Sequence, residues 1–327
     1  MSTGALEFLL ALQEECGGAI PFDRWMREAL YHPRFGYYTA NIRGVGRGGD
    51  FSTWATLQDS LGLAIARWLK ANRPGGKWHV IEVGGGSGQL AKSVFRHLGW
   101  WNKPAYHIVD ISPVLRDQQR ALLKGVPVQW HEEIGSALAA ANGKALIFSN
   151  ELADAFPCRI LRKRAGGWEE LRLRIDGGRW IETWASIDAP DSSVANEEWP
   201  ENQRVETPES FRGWLASWLP EWREGAMLTI DYGDHCPALY HRRPRGTIRA
   251  FAHHQRLEGA EAYAAFGKRD ITFDINFTDL ANWGGDLGLR TIGDETLGDF
   301  LKSQGVTASL GEEAGEAFRV LVQRTAN

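Results

Sequence analysis

The sequence has 327 residues, of which 43% are hydrophobic and 24% are charged, a balance typical of a globular protein with a substantial core. Its formal net charge of -4 gives no overall attraction to nucleic acid or to an anionic membrane, so we expect neither as a partner. Three scattered cysteines, Cys16, Cys158 and Cys236, lack the spacing of a metal site and indicate reduced thiols. No apolar run approaches the length of a membrane span, so we expect no membrane insertion.

The first predicted region, residues 1–76, is a helical cap followed by a loop. Its opening apolar stretch has no preceding basic residue, which predicts an amphipathic helix rather than a signal or transit peptide and a cytoplasmic location. A second helix, FDRWMREALY, is predicted between Pro21 and Pro33. Glycine-rich residues 44–53 predict a loop, and residues 57–71 have the apolar spacing of a third helix.

Strands and helices alternate through the next region, a core predicted over residues 77–157. The strand candidates are 78–83, 105–110, 126–130 and 144–150, and the helical stretches between them are 89–98, 113–124 and 133–141. Apolar strands separated by helices of about ten residues indicate a parallel sheet that is covered on both faces. The predicted fold class is therefore α/β, with a doubly wound Rossmann-like sheet.

The pattern changes after the fourth strand candidate. Residues 158–187 alternate apolar and polar side chains in three runs that are separated by two Gly-Gly pairs, which predicts an antiparallel meander. Together with loop-like residues 188–206, this meander makes up an inserted β lobe predicted over 158–206.

The last predicted region, residues 207–327, holds the remainder of the core and a C-terminal elaboration. A helix is predicted at 208–220, and it leads into a buried strand at 226–233 that resumes the core sheet. A final strand candidate lies at 317–324. No internal repeat or low-complexity linker interrupts this organisation.

The most informative segment is WHVIEVGGGSGQLAKSV, residues 78–94. An apolar run ends in glycines and turns into a helical pattern, which predicts a strand, a tight turn and a helix with a ligand close to the backbone. A P-loop is excluded because no lysine followed by Ser or Thr closes the turn. The run from Gly86 to Ala91 does fit the dinucleotide pattern G-x-G-x-x-[GA], with the acidic Asp110 22 positions after Gly88.

The same segment also fits E-x-G-x-G-x-G, the first motif of the class I S-adenosylmethionine (SAM) methyltransferases, through Glu82, Gly84, Gly86 and Gly88. In this interpretation the glycines let the backbone approach the ligand, and Asp110 accepts hydrogen bonds from both ribose hydroxyls. The polar end of the fourth strand candidate, SNE, and the absence of a second glycine turn favour the same interpretation. We therefore predict SAM as the cofactor, with a nicotinamide or flavin cofactor or a ligand-free turn as the alternatives.

Over nearly its whole length the sequence resembles the MidA-like SAM-dependent methyltransferases, a family that includes a mitochondrial arginine methyltransferase assisting assembly of respiratory complex I. ALYHPRFGYY (29–38) is similar to the family's L-x-H-P-x-x-G-Y-Y element, and GRGGDF (46–51) to its G-R-x-G-D-F. The later family elements occur in the same order, as EVGGGSG, VDISPVLRDQQ, SNELADAFP, LTIDYG, GTIRAFAHH and DITFDINFTDLA. The resemblance implies a class I methyltransferase fold, and Ser112 and Asn150, which lie in two of these elements, complete the predicted cofactor contacts.

Two segments depart from the family pattern. Trp54-Ala55-Thr56 follow where the family usually has a proline and a carboxylate, and Asn276 stands where it usually has an aspartate. Both segments are expected to face the active-site cleft, so the methyl acceptor is left open at this point.

Methyl transfer requires an aligned acceptor and the management of one proton. Glu151 and Asp154 follow the fourth strand candidate, at the edge where open α/β sheets bind ligands, and they are the predicted catalytic residues. The alternative is that these acids cap a short helix. Asp231 and Tyr232, at the end of a later strand, either line the same cleft or close a turn.

The sequence thus predicts a SAM-dependent methyltransferase acting on a protein side chain, an arginine by the resemblance, with a respiratory-complex subunit among the possible substrates. A small-molecule methyltransferase, or a SAM-fold assembly protein without turnover, is the alternative, and a homo-oligomer is possible. Arg249 and His254 are weaker candidates, since a loop histidine is more often a satisfied polar group than a base. Basic residues 241–245 predict a solvated loop.

Overall fold

The computed structural model describes residues 2–42, 55–99, 103–252, 255–257, 259–307 and 312–326. The predicted loop at 44–53, the GRGGDF element, Trp54 and His254 lie outside the described residues. Among the helices that are described, none is both long and apolar enough to cross a membrane.

The first helices of the chain lie close to their predicted positions. Helix α5 illustrates the local signals that start a helix: Ser112 caps it, with the hydroxyl accepting a hydrogen bond from the Leu115 backbone N–H, and Pro113 occupies its first turn. The helices are α1 Thr3–Glu15, α2 Phe22–Tyr31, α3 Ala55–Asn72, α4 Gln89–Leu98, α5 Pro113–Leu122, α6 Ile134–Ala140, α7 Glu209–Trp218, α8 Ala260–Ala264, α9 Phe277–Asp286, α10 Leu297–Ser303 and α11 Glu312–Ala317.

The strands include all those predicted and several that the sequence patterns did not predict. They are β1 Ile20–Pro21, β2 His79–Val83, β3 Ala105–Val109, β4 Val128–His131, β5 Leu146–Asn150, β6 Arg159–Arg164, β7 Gly167–Asp176, β8 Arg179–Ile187, β9 Arg204–Thr207, β10 Ala226–Asp234, β11 Arg249–Ala252, β12 Gln255–Leu257, β13 Ile271–Thr272, β14 Ile275–Asn276, β15 Leu289–Thr296 and β16 Phe318–Thr325.

These elements form two compact units. The lobe unit comprises Met1–Ile42, Ala153–Gly213 and Asp234–Asp279, and the core unit comprises Arg43–Leu152, Trp214–Gly233 and Leu280–Asn327.

The core unit contains a mixed sheet with the strand order β15-β16-β10-β5-β2-β3-β4. Strands β10, β5, β2, β3 and β4 run parallel, whereas β16 is antiparallel to both β10 and β15. The chain runs outward from β2 to β4 and then returns to place β5 on the other side of β2, which is the topology of a doubly wound sheet. The predicted α/β fold class is confirmed. Helices α3 and α4 pack apolar side chains against the sheet, and Ile65, Phe95 and Phe148 belong to this core.

The lobe unit contains the predicted meander. Strand β7 pairs antiparallel with β6 and β8, and a small core that includes Leu161 and Val205 is buried within the unit. The prediction that residues 188–206 are loop-like is wrong at its end, because β9 pairs antiparallel with β6. A four-residue strand with two charged members carries too little alternation to be recognised before its partner is known. Strand β1 joins the same sheet by pairing with β7.

Candidate cofactor and active site

The carboxyl ends of the parallel strands meet at one edge of the core sheet. Strand β2 ends at Val83 before the glycine turn, β3 ends at Val109 before Asp110, and β5 ends at Asn150 before Glu151. The chain reverses its direction of winding between β2 and β5, and open α/β sheets bind ligands at such a switch point. The fold therefore brings the predicted cofactor residues of three separate segments to one edge.

The glycine turn adopts backbone conformations that favour glycine. Gly84, Gly86 and Gly88 have φ angles of +74°, +51° and +80°, and the Gly84 N–H donates to the Val109 carbonyl at 2.8 Å. A Cβ added at Gly84 would lie 3.0 Å from Leu152, and one at Gly88 would lie 3.3 Å from Gln119. At Gly86, by contrast, no described atom apart from those of Gly86 and its two chain neighbours lies within 4 Å of that position, so the turn presents an open backbone cradle there.

Glu82 lies in β2, beneath this turn. Its side chain is buried and accepts a hydrogen bond from the Tyr106 hydroxyl at 2.7 Å. Burial raises the pKa of Glu82 to about 8, although the Tyr106 hydrogen bond opposes the shift. The structure thus places the acid of the E-x-G-x-G-x-G motif in the sheet, where it contacts a neighbouring strand.

Asp110 is buried at the end of β3. Its Oδ1 accepts a hydrogen bond from the Ser112 N–H at 2.9 Å, and its Oδ2 accepts one from Gln119 Nε2 at 2.7 Å. Burial raises the pKa of Asp110 to about 6, and the same two hydrogen bonds limit that rise. Each carboxylate oxygen can accept a second hydrogen bond, so Asp110 retains the capacity to hold two ribose hydroxyls.

Ser112, a predicted cofactor contact, lies at the start of α5, next to Asp110. Its hydroxyl accepts from the Leu115 N–H at 3.4 Å, and its side chain is fully buried, so the group caps α5. Its backbone N–H, rather than its hydroxyl, orients the Asp110 carboxylate.

Two further residues at this edge were not predicted from the sequence. Ile111 is 54% exposed although it stands between the buried Asp110 and Ser112. A large apolar side chain is therefore exposed to solvent beside the predicted ribose-binding residue. Gln119 is fully buried in α5 and contacts the glycine turn as well as Asp110. The spacing from Ser112 to Gln119 places both on one face of α5, and this pattern is the signal that could have revealed Gln119.

The end of β5 holds Asn150 and Glu151. The Asn150 amide donates to Glu151 Oε1 at 3.0 Å. Glu151 has a φ angle of +53°, in the left-handed region that residues other than glycine rarely adopt. Its N–H donates to the Ile230 carbonyl at 3.0 Å, which ties this strained residue to β10.

Asp231 is fully buried in β10, where it contacts the segment that follows β5. One carboxylate oxygen accepts from the Leu152 N–H at 3.1 Å and the other from the Tyr232 N–H at 2.9 Å. These hydrogen bonds tie Asp231 to the segment after β5, and β10 continues to Asp234, so the prediction that Asp231 closes a turn before Gly233 is wrong. The Tyr232 ring packs on Phe318 of β16, with ring centroids 3.8 Å apart.

Asp154 lies in the lobe unit, buried in a single turn of 3₁₀-helix at Ala153–Ala155. Its charge helps to raise the pKa of Tyr38, a shift due first to burial and next to Asp270. The Tyr38 hydroxyl donates a hydrogen bond to Asp270 Oδ1 at 2.8 Å. The Tyr38 ring stacks on Tyr31 with centroids 5.7 Å apart. Asp154 therefore lies in a polar-aromatic environment within its own unit.

The later family elements also meet in the lobe unit. Asp274 forms ion pairs with Arg243 and Arg249, so the basic segment that was predicted to be solvated is anchored through Arg243. Asn276 is buried, and its amide donates to the Ser193 hydroxyl at 2.9 Å. Asn276 thus makes neutral hydrogen bonds at the position where the family usually has an aspartate.

The described residues contain no group of His, Cys, Asp and Glu side chains that could hold a metal ion. The open backbone at Gly86 leaves room for a ligand to approach the glycine turn, and the buried Asp110 can accept hydrogen bonds from ribose hydroxyls. Both features fit an adenosine-bearing ligand.

Comparison with known proteins identifies the class. Residues 60–294 match the model of a family of S-adenosyl-L-methionine-dependent methyltransferases. A crystal structure of a protein from Burkholderia thailandensis bound to S-adenosyl-homocysteine superposes with a TM-score of 0.80 at 26% identity, covering 97% of this chain and 90% of that chain.

Curated relatives agree with this class. The mitochondrial protein arginine methyltransferase NDUFAF7 of Danio rerio is 25% identical over 331 residues, which cover 90% of this chain and 75% of that protein. The corresponding protein of Xenopus tropicalis is 26% identical and covers 99% of this chain and 80% of its own length.

The chain belongs to this family of SAM-dependent methyltransferases. The predicted family, the methyltransferase activity and SAM as the cofactor are confirmed.

Proposed function

We propose that this methyltransferase transfers the methyl group to a protein arginine and that Glu151 binds and orients the acceptor. The observation that carries the proposal is the backbone of Glu151, which has a φ angle of +53° at the carboxyl end of β5. Such a conformation costs about 1–3 kcal/mol and persists where the surrounding structure imposes it, often at active sites. Here the hydrogen bonds of Glu151 and Leu152 to β10 impose it.

The acceptor class rests on the chemistry of the carboxylate and on the named relatives. A guanidinium is planar and can be bound bidentately by a carboxylate, which would hold the attacking nitrogen in one orientation. The Asn150 amide donates to Glu151 Oε1 and so restricts how the carboxylate turns. The curated relatives are protein arginine methyltransferases.

The residues at the edge of the core sheet divide the work. SAM supplies an electrophilic methyl group when it is bound. In this proposal Gly84, Gly86 and Gly88 let SAM approach the protein backbone, and Asp110 accepts hydrogen bonds from the ribose of SAM. Glu151 aligns the acceptor nitrogen and accepts the proton that this nitrogen releases.

The remaining cofactor contacts and the second catalytic residue are part of the same proposal. Glu82, Ser112 and Asn150 act by shaping the turn and the strand ends through the hydrogen bonds described above. Ile111 offers an apolar surface for the adenine. Asp154 remains a candidate acceptor-binding carboxylate, to be tested by its own variant, Asp154→Asn.

The decisive experiment uses the Glu151→Gln variant. This change keeps the size and the hydrogen-bonding reach of the side chain but removes its charge and its ability to accept a proton. We expect S-adenosylhomocysteine affinity within a few-fold of the wild type, and methyl transfer reduced by about 100-fold or more, the usual scale for a positioned acid–base group. Glu133→Gln, an exposed residue with the same change, is the matched control and should transfer normally.

Transfer is measured by mass spectrometry of lysate proteins after incubation with isotopically labelled SAM. Label on protein arginine in the wild type, lost with Glu151→Gln, supports the proposal. Label confined to small molecules would instead support a small-molecule methyltransferase. Binding of SAM without any incorporation would support an assembly protein that does not turn over.

The finer partner and location assignments belong to this proposal as well. A subunit of a respiratory complex is the first protein to test as acceptor, because the family that the sequence resembles includes an arginine methyltransferase that assists assembly of respiratory complex I. A cytoplasmic location stays a prediction, and the curated relatives are described as mitochondrial. Whether the chain forms a homo-oligomer is a matter for sedimentation.

A further inference from the structure

Gln119 connects the two segments on which the proposed cofactor site is built. Its amide Nε2 donates to the Gly86 carbonyl at 2.9 Å and to Asp110 Oδ2 at 2.7 Å. Its Oε1 accepts a hydrogen bond from Trp130 Nε1 at 3.2 Å. Both amide hydrogens and the carbonyl oxygen are therefore used, and this set of donors and acceptors permits only one orientation of the amide.

Gln119 makes these contacts from a buried position on α5. The side chain is fully buried, and its stem lies against Gly88, where an added Cβ would come within 3.3 Å. Ser112 and Arg116 occupy the same face of α5 and also contact Asp110, through its Oδ1 and its backbone carbonyl. Gln119 is the member of this face that reaches the glycine turn as well.

We propose that Gln119 is a positioning residue that sets the Asp110 carboxylate and the Gly86 backbone in the relative arrangement that SAM requires. It acts through these two groups, since its own polar atoms are occupied by protein partners. The hydrogen bond to Oδ2 fixes which lone pairs of Asp110 point to the ribose. The hydrogen bond to the Gly86 carbonyl fixes the peptide at the open position of the turn.

The inference rests on the proposed placement of SAM at the glycine turn. It also predicts how the affinity of one variant changes with pH. The substitution Gln119→Glu would place a second carboxylate within hydrogen-bonding distance of Asp110, and two such carboxylates cannot both ionise easily. When the pair binds one proton, the introduced carboxyl group, in its protonated form, can again donate to Asp110 Oδ2.

The test is calorimetric titration of S-adenosylhomocysteine into the Gln119→Glu variant between pH 6.5 and 8.5, with each affinity divided by that of the wild type at the same pH. We expect about 10- to 100-fold weaker binding at pH 8.5, the fold-change that corresponds to a lost hydrogen bond to a charged group. The deficit should shrink markedly at pH 6.5. Gln129→Glu, an exposed residue beside Trp130, adds the same charge and should bind like the wild type.

A second variant keeps the test informative if Gln119→Glu does not fold at high pH. Gln119→Met has a similar size and no charge, so we expect weaker binding without recovery at pH 6.5, in a protein whose folding is checked by circular dichroism. If both folded variants bind within twofold of the wild type at every pH, the role of Gln119 is wrong. If the wild type itself does not bind S-adenosylhomocysteine, the placement of the cofactor fails instead.

Discussion

At the glycine turn of the core unit, Glu82 and Asp110 are buried, and burial raises their pKa values to about 8 and about 6. On the sheet of the lobe unit, Glu182 is also partly buried, yet its pKa is lowered. Burial acts to raise it, but hydrogen bonds from Arg204 at 2.6 Å and from the Tyr263 hydroxyl at 2.7 Å outweigh that effect. The core carboxylates have neutral hydrogen-bond partners, whereas the lobe carboxylate has a cation.

This difference lies in what each carboxylate can still accept. A carboxylate held by neutral donors keeps lone pairs that can accept hydrogen bonds from a ligand's hydroxyl groups, and these hydrogen bonds would stabilise its charged form. A carboxylate paired with arginine already has its strongest partner. Arginine pairs recur on the lobe sheet, where Arg159 lies between Glu170 and Glu209 and Arg162 pairs with Glu169. Glu206 on β9 is an exception, because it is buried, accepts hydrogen bonds from Thr247 and the Ile248 N–H, and has its pKa raised to about 7.

The largest effect is expected at the open glycine. Gly86→Val should abolish SAM binding, because a β-branched side chain would fill the cradle and strain a backbone with φ at +51°. Gly125→Val is the matched control, since Gly125 has a φ angle of +84° and open space but lies in the turn between α5 and β4. The measurement is the calorimetric SAM affinity of both folded variants. Retained binding in Gly86→Val would show that SAM does not bind at this turn.

The next effect concerns the pH dependence of stability in the core. The folded-state pKa of Glu82 is raised, so its contribution is fully present below the ordinary pKa of about 4.5 and is lost as pH rises toward about 8. Glu82→Gln does not titrate, and its free energy of unfolding should fall less steeply than that of the wild type over this window. The difference in slope is at most about 1.4 kcal/mol per pH unit. Urea unfolding at several pH values measures it, and parallel curves would contradict the burial of a titrating Glu82.

A smaller loss is expected for the ribose contact. Asp110→Ala should weaken SAM binding by about 1.5–3 kcal/mol, the scale of hydrogen bonds to a charged group. Asp117→Ala, on the exposed face of α5, is the control and should leave affinity unchanged. Equal calorimetric affinities for the two variants would mean that Asp110 serves the fold alone.

The smallest effect belongs to the lobe. Glu182→Gln should destabilise the protein by about 1 kcal/mol or less near neutral pH, since its pair with Arg204 is partly solvated. The sign of its pH dependence is opposite to that of Glu82: the contribution is present above the ordinary pKa and is lost as pH falls through the lowered value. Glu201→Gln, from the exposed pair with Arg164, should change thermal unfolding less, and the reverse order would break the contrast.

Much of the fold could be predicted because its signals are local. The four strands β2 to β5 and the helices between them appear in order, with boundaries close to those predicted. Strands β9 and β15 were missed because each depends on a distant partner, β6 for the first and β16 for the second. Tertiary pairing supplies the hydrogen bonds that such short or polar segments cannot signal by themselves.

The sequence by itself determined the turn, since φ angles above zero at Gly84, Gly86 and Gly88 are a local demand that glycine meets and other residues rarely do. It also determined which acid follows β3, because Asp110 stands directly after an apolar run. Only the tertiary structure decided how that acid is held. The bond from Gln119 to Gly86 joins residues 33 positions apart, and it exists because α5 packs beside the turn. Spacing along the chain encodes conformation, but the partner of a buried polar group is chosen by packing.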